Sequence, residues 1–286
     1  MPTAKDLVRQ TSALVSLPEI YLRIKQILED PKAGMVDVAD VISRDPGLAA
    51  RILKIANSAF FGFPSRVETV TQAANLLGEE KINNLVLSTT VTRAFARISE
   101  KHMNMDMFWQ DSIYRAVLSQ LLAKHYQEGK TERSFIQGLL ADVGHLVMFQ
   151  VVPDLCHSAL IKSSQENTPL HRIETQLVGC HYAQVGGELL KSWELPENLW
   201  SVVRFQHDPA AADQFAPETA IVNLANEITR SADPDTPITE REFESDWIAS
   251  RLSPLTEDQV NEMRKEADKG AQEALELIFP GHSMAA

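Results

Sequence analysis

Only two cysteines occur in 286 residues, and Cys156 and Cys180 are far apart and form no CxxC pair. Neither a disulfide framework nor a cysteine zinc site is therefore indicated. Long apolar runs are missing too: no stretch approaches the ~18–20 residues that a membrane span needs. The N-terminal MPTAKDLVRQTSALVSLPEI lacks the apolar centre and small-residue cleavage site of a secretory signal. A cytoplasmic protein is expected, with no membrane contact. Basic charge is scarce as well. The net charge is −12; residues 1–98 carry 12 basic and 10 acidic side chains, which leaves 15 and 29 for the remainder. A binder of phosphate backbones needs a basic face, so nucleic acid is not the expected partner. Strands are the last absence, since no alternating apolar series and no helix repeat of constant period can be found.

What is present is helical, and 44% hydrophobic residues supply material for a large core. Asp45-Pro46 offers an N-cap followed by proline at the first helical position, and Leu48, Ile52, Ile55, Ala56 and Ala59 follow at helical spacing. Thr69 and Gln72 have capping-box spacing before AANLL, and Gly78 fits the stop. Further helices are expected over MFWQDSIYRAVLSQLLAKHY, SFIQGLLADVGHLVMFQV, HYAQVGGELLKSW and PENLWSVVRFQH. Thr256 and Gln259 open an acidic helix in the tail. The fold class is all-α. HMNMD near 102–106 and TRSADPDTPITERE over 229–242 read as joints, giving an N-terminal helical subdomain (1–98), a second helical subdomain (99–230) and an acidic helical tail (231–286).

Three features invite a chemical reading. TVTQAANLLGEEKINNLVL has the outline of a helix-turn-helix, but Glu79 and Glu80 would open the recognition helix, where flanking phosphates repel carboxylates. A packed helical hairpin is the better reading. Of eight histidines, His102, His125, His157, His171 and His282 sit among polar or loop residues and are expected at the surface; His145, His181 and His207 lie near apolar helical faces. Asp142 interrupts the apolar GLLADVGHLV, and a lone aspartate there must be paired, hydrogen-bonded or bound to metal.

LPEIYLRIKQILEDP, VADVISRDPGLAARILKIANSAFFGFPSRVETVTQAANLLG and INNLVLS, followed by FWQDSIYRAVLSQLLA, FIQGLLADVGHLVMF and HYAQVGGELLKSWELPENLWSVVRFQHDP, resemble the HDOD family in order over residues 14–230. That is the HD-related output domain of bacterial signalling proteins. The second half resembles the wider HD phosphohydrolases, including cyclic-dinucleotide phosphodiesterases, in which a histidine, an adjacent His-Asp pair and a late aspartate hold divalent ions. Such an ion polarises a phosphoryl oxygen and lowers the pKa of a bound water.

The resemblance also shows departures. The first-histidine position is Asp111, the histidine of the pair is Ala141, and only Asp142 is kept. His145 stands where active relatives often carry lysine. His181 and His207 occupy places like the supplementary histidines, with Gln206 breaking the usual pair, and Asn226 stands for the late aspartate. The resemblance thus implies a relic HD cleft with Asp111, Asp142, His181, His207 and Asn226 as its ligand or metal contacts, no resident cofactor and no metal. The expectation is a non-catalytic signalling module that works through a protein partner. A small anionic ligand would use Arg115, Arg204 or His207. With no receiver domain fused, a separate protein would deliver the signal. The competing expectation is a metal-dependent phosphohydrolase acting on a nucleotide or cyclic dinucleotide.

Overall fold

A computed structural model describes residues 1–11, 17–57, 63, 65–95, 103–127, 131–230, 252 and 255–278. Ala59, His102, His282 and most of the 229–242 joint lie outside the described residues. Those described are helical with no strand among them, so the all-α expectation holds. The chain divides into two compact units. One comprises Ser16–Arg97 with Gly270–Ala286, the other Met1–Val15 with Ile98–Lys269. Both termini therefore depart from the three consecutive segments expected from the sequence.

The first unit contains, after helix α1 (Ala4–Thr11) of the other unit, α2 (Glu19–Glu29), α3 (Met35–Ser43), α4 (Pro46–Ala56), α5 (Val70–Leu77) and α6 (Glu79–Ala94). Local chemistry sets their ends. Asp45 caps α4 by accepting from the Leu48 amide at 3.0 Å, with Pro46 next in line. Thr69 accepts from the Gln72 amide at 3.1 Å, and the Gln72 side chain returns to the Glu68 amide at 3.1 Å. Gly78, at φ 80, turns α5 into α6 in a backbone conformation that a side chain would resist. The expected hairpin is thus present, with Ala73, Ala74, Ile82 and Val86 buried in its core. Asn57 fastens the chain beyond α4: its amide donates to the Val67 carbonyl at 2.8 Å and its carbonyl accepts from the Val67 amide at 2.8 Å.

The second unit holds α1 together with α7 (Met105–Tyr126), α8 (Thr131–Leu140), α9 (Val143–Val151), α10 (Pro153–Glu166), α11 (Leu170–Leu177), α12 (Tyr182–Ser192), α13 (Glu197–Phe205), a 3-10 turn (Pro209–Phe215) and α14 (Ala216–Arg230). The last helix, α15 (Glu257–Ile278), opens as expected, with Thr256 accepting from the Gln259 amide at 3.3 Å. It is not merely an acidic tail, because Val260, Ala267, Ala271 and Leu275 are buried.

The single helix expected over 134–151 is in fact two, broken at Ala141–Asp142. Gly138 lets α8 lie so close to α7 that an added Cβ would come within 2.9 Å of Ala116 Cα. That composite stretch also corrects the reading of apolar runs: residues 133–151 reach the apolarity of a membrane span by composition, but 72% of the window is buried inside the protein. The break in the middle is what positions the candidate site.

Candidate functional site

The turn between α8 and α9 delivers Asp142 to a buried polar cluster within the second unit. Its carboxylate receives a hydrogen bond from Arg115 on α7, and the two side chains are only 16% and 5% exposed. Burial pushes the Asp142 carboxyl up, but the electrostatic pull of Arg115, foremost, and of His145 and Arg230 outweighs it and holds the group below the usual carboxylate range. Asp111, one turn before Arg115, does not join this pair. It is exposed at the rim; desolvation raises its carboxyl, Arg115 opposes and Asp142 adds to the rise.

Ala141, beside Asp142, contributes no side-chain donor and packs with Val202 and Val222. Its carbonyl accepts from the Gln206 amide at 2.7 Å, and the Gln206 carbonyl in turn accepts from Asn226 on α14 at 2.7 Å. Gln206, which in the sequence only breaks a familiar pair, therefore joins the α8–α9 turn to α14.

A second layer of the cluster surrounds Tyr182, the first residue of α12. Its hydroxyl accepts from Arg230 at 2.6 Å and lies 2.9 Å from His207 Nε2. His207 stacks on His171, ring centroids 4.0 Å apart at 14°, and His181 lies edge-on to both at 5.7 and 5.8 Å. His171, expected at the surface, is thus a half-buried member of an imidazole cluster. Burial, assisted by neighbouring cationic groups, lowers His171 and His181 to about 4 and His207 well below its ordinary value. Glu174, which nothing in the sequence singles out, is buried, accepts from the Tyr182 amide at 2.9 Å and approaches His145 Nε2 at 3.3 Å. His145 also stacks on the Tyr182 ring at 3.9 Å.

Two glycines make that stacking possible. A Cβ on Gly144 would overlap the Tyr182 carbonyl and lie 2.5 Å from the Gly186 amide, so α9 and α12 meet backbone to backbone. Arg204 stays apart from Asp142 and pairs with Glu188 at 3.8 Å.

The ligand set that the HD chemistry needs is incomplete here, although Asp142 Oδ1 and Asn226 Oδ1 are buried without a partner among the described residues. Asp142 is engaged by a guanidinium, position 141 offers a methyl group, the Asn226 amide is turned to Gln206, and His207 faces a tyrosine hydroxyl. Among the described residues no group of three or more His, Cys, Asp or Glu side chains is arranged to hold an ion. Nor do the cysteines provide a nucleophile: burial raises Cys156 to about 12 and Cys180 to about 11. A cavity of about 440 Å³ between α2 and α3 carries Asp30, Asp37 and Asp40, but each is already engaged, by the Lys32 amide, the Gly34 amide and Arg44 respectively.

Comparison with known proteins agrees with this architecture. The family model of the HDOD domain matches residues 14–209. An uncharacterized protein of Treponema pallidum (strain Nichols) is 26% identical over 82% of this chain, which spans 45% of that relative's length. The solved structure of a "putative signal transduction protein" from Marinobacter aquaeolei VT8 is 25% identical with a TM-score of 0.67, over 94% of this chain and 60% of the other. A "putative phosphohydrolase" from Shewanella amazonensis SB2B is 22% identical with a TM-score of 0.71, over 95% and 96% of the two chains. At that identity the last likeness speaks for the fold.

Proposed function

The chain belongs to the HDOD family, and on that premise we propose that it is a cytoplasmic, non-catalytic signal-transduction module that acts through protein contacts. The observation that carries this reading is the engagement of Asp142 by buried Arg115, next to an alanine that has no ligand atom. Phosphohydrolases of the HD type need an ion at this position to polarise phosphate and supply hydroxide. Here a side chain of the protein supplies the positive charge instead, and a guanidinium binds no water that it could turn into hydroxide. The Marinobacter relative's name is consistent with the signalling role.

The same cleft is proposed to admit a small anionic ligand beside Arg230 and His207, which meet at the Tyr182 hydroxyl. Nucleic acid is disfavoured by the net charge of −12 and by Glu79 and Glu80 at the start of α6.

The competing phosphohydrolase makes a sharp prediction. Cyclic dinucleotides and nucleotide phosphodiesters, supplied with manganese, iron or zinc, would be cleaved by the native protein and not by Asp142→Ala. The signalling module should show no turnover above the Asp142→Ala background with any of the three metals. Cleavage that disappears with Asp142 would refute it.

A further inference from the structure

A buried carboxylate needs a positive partner. We infer that the Arg115 guanidinium is the resident cation of this centre, a tethered counter-ion that fastens α7 to the α8–α9 turn where a divalent ion would otherwise be required. This deepens the proposed function, which rests on the same Asp142–Arg115 pair; the melts below test the pair, and the turnover assay above tests the signalling role.

Three observations support it. First, Arg115 takes one oxygen of Asp142. A divalent ion on the other oxygen would sit about 2 Å from it, close to the guanidinium bonded to the same carboxylate, and like charges that close in a buried site repel strongly. Second, the two groups depend on each other. Arg115 Nε and Nη1 and Asp142 Oδ1 are buried without a hydrogen-bond partner among the described residues, so each charge has the other as its hydrogen-bonded partner, with Asp111, His145 and Arg230 acting from farther off. Third, the residue is an arginine, which stays charged at every pH at which the fold exists. A lysine or histidine in this place would tie the centre to pH, and a metal would tie it to ion supply; a guanidinium does neither.

The remainder of the cluster is built to the same plan. Gln206 spans the Ala141 carbonyl and Asn226, and Tyr182 spans Arg230 and His207. With the Arg115 bond, α7, the α8–α9 turn, α12, the end of α13 and α14 are joined around the centre by the chain's own donors and acceptors. On this inference the fold needs no metal to hold them.

Thermal melts of the full chain test this with four proteins: native, Arg115→Met, Asp142→Asn and the double variant, each with and without a chelator and with added manganese or zinc. The native melt should not move on chelation or on metal addition. Arg115→Met should fall by roughly 10 °C, as expected when one partner of a buried pair is removed from a chain of this size, and the double variant should regain more than half of that loss. Should Arg115→Met fail to fold, a folded double variant supports the inference in its place, and a double variant that also fails to fold overturns it. Strictly additive losses in the double variant, an Asp142→Asn melt equal to the native one, or a native melt lowered by chelator and restored by metal would each overturn it as well.

Discussion

Gly144→Ala separates two effects that usually point the same way. In most helix interiors the change is stabilising, by up to about 1 kcal/mol of helix propensity. Gly144 lies in α9, so propensity alone predicts a more stable protein. The structure predicts the reverse. The new methyl would overlap the Tyr182 carbonyl and lie 2.5 Å from the Gly186 amide. Both obstacles are backbone, and no rotamer change can move them, so α9 must withdraw from α12. Overpacking of this kind costs about 1–3 kcal/mol and sometimes more; with backbone on both sides the upper part of that range applies, leaving a net loss of about 2 kcal/mol after the propensity gain. His145 would also be lifted from the Tyr182 ring, on which it now stacks at 3.9 Å. Urea unfolding followed by far-UV circular dichroism measures the loss, with Ser164→Ala on the exposed face of α10 as the propensity control. A Gly144→Ala protein as stable as the native one, or more stable, would refute the close approach of α9 and α12 and with it the placement of His145.

Other perturbations probe the cluster and the first unit. Gln206→Leu removes the bridge between the Ala141 carbonyl and Asn226 and leaves both without it; a loss of about 2–4 kcal/mol is expected in urea unfolding, and a loss under about 0.5 kcal/mol would count against the bridge. Acid should destabilise the fold in two stages. His171 and His181 are held near 4 in the folded state against about 6.5 when unfolded, so their contribution is complete above pH 6.5 and is lost as the pH falls towards 4. Asp142 has a lowered folded pKa, so its share is kept until the pH drops below the ordinary carboxylate value and is lost beneath it. Melting temperatures from about pH 7.5 to 4.5 should therefore decline, less steeply for His171→Phe; a flat native profile would contradict the buried imidazole stack. In the first unit, Asn57→Ala deletes both bonds to Val67 and should cost about 1–3 kcal/mol, measured by the same unfolding.

What is legible in the sequence follows from the range of the interactions. Asp45-Pro46, Thr69 with Gln72, and Thr256 with Gln259 announce helix starts because a cap closes within three residues. Asp142, His181, His207 and Asn226 are readable through the family's motifs, as positions. Their partners are not. Arg115 meets Asp142 across 27 residues, Gln206 reaches Ala141 across 65, and Arg230 reaches Tyr182 across 48. Nothing local marks Glu174 as buried, since LHRIETQL reads as an ordinary amphipathic helix, and His171 in the same segment looks like a surface residue for the same reason. The break between α8 and α9 is hidden because GLLADVGHLV keeps its apolar character straight through the turn. Asp142 is the one visible sign of it.

Metal content tests the central claim most directly. Protein purified without a histidine tag would be loaded against zinc, iron and manganese in turn, dialysed and submitted to elemental analysis beside Asp142→Ala. With Arg115 as the counter-ion of Asp142, the native protein should retain no more metal than the variant under any loading condition. One or two ions per native chain, absent from Asp142→Ala, would contradict that account and make the phosphohydrolase the reading to pursue.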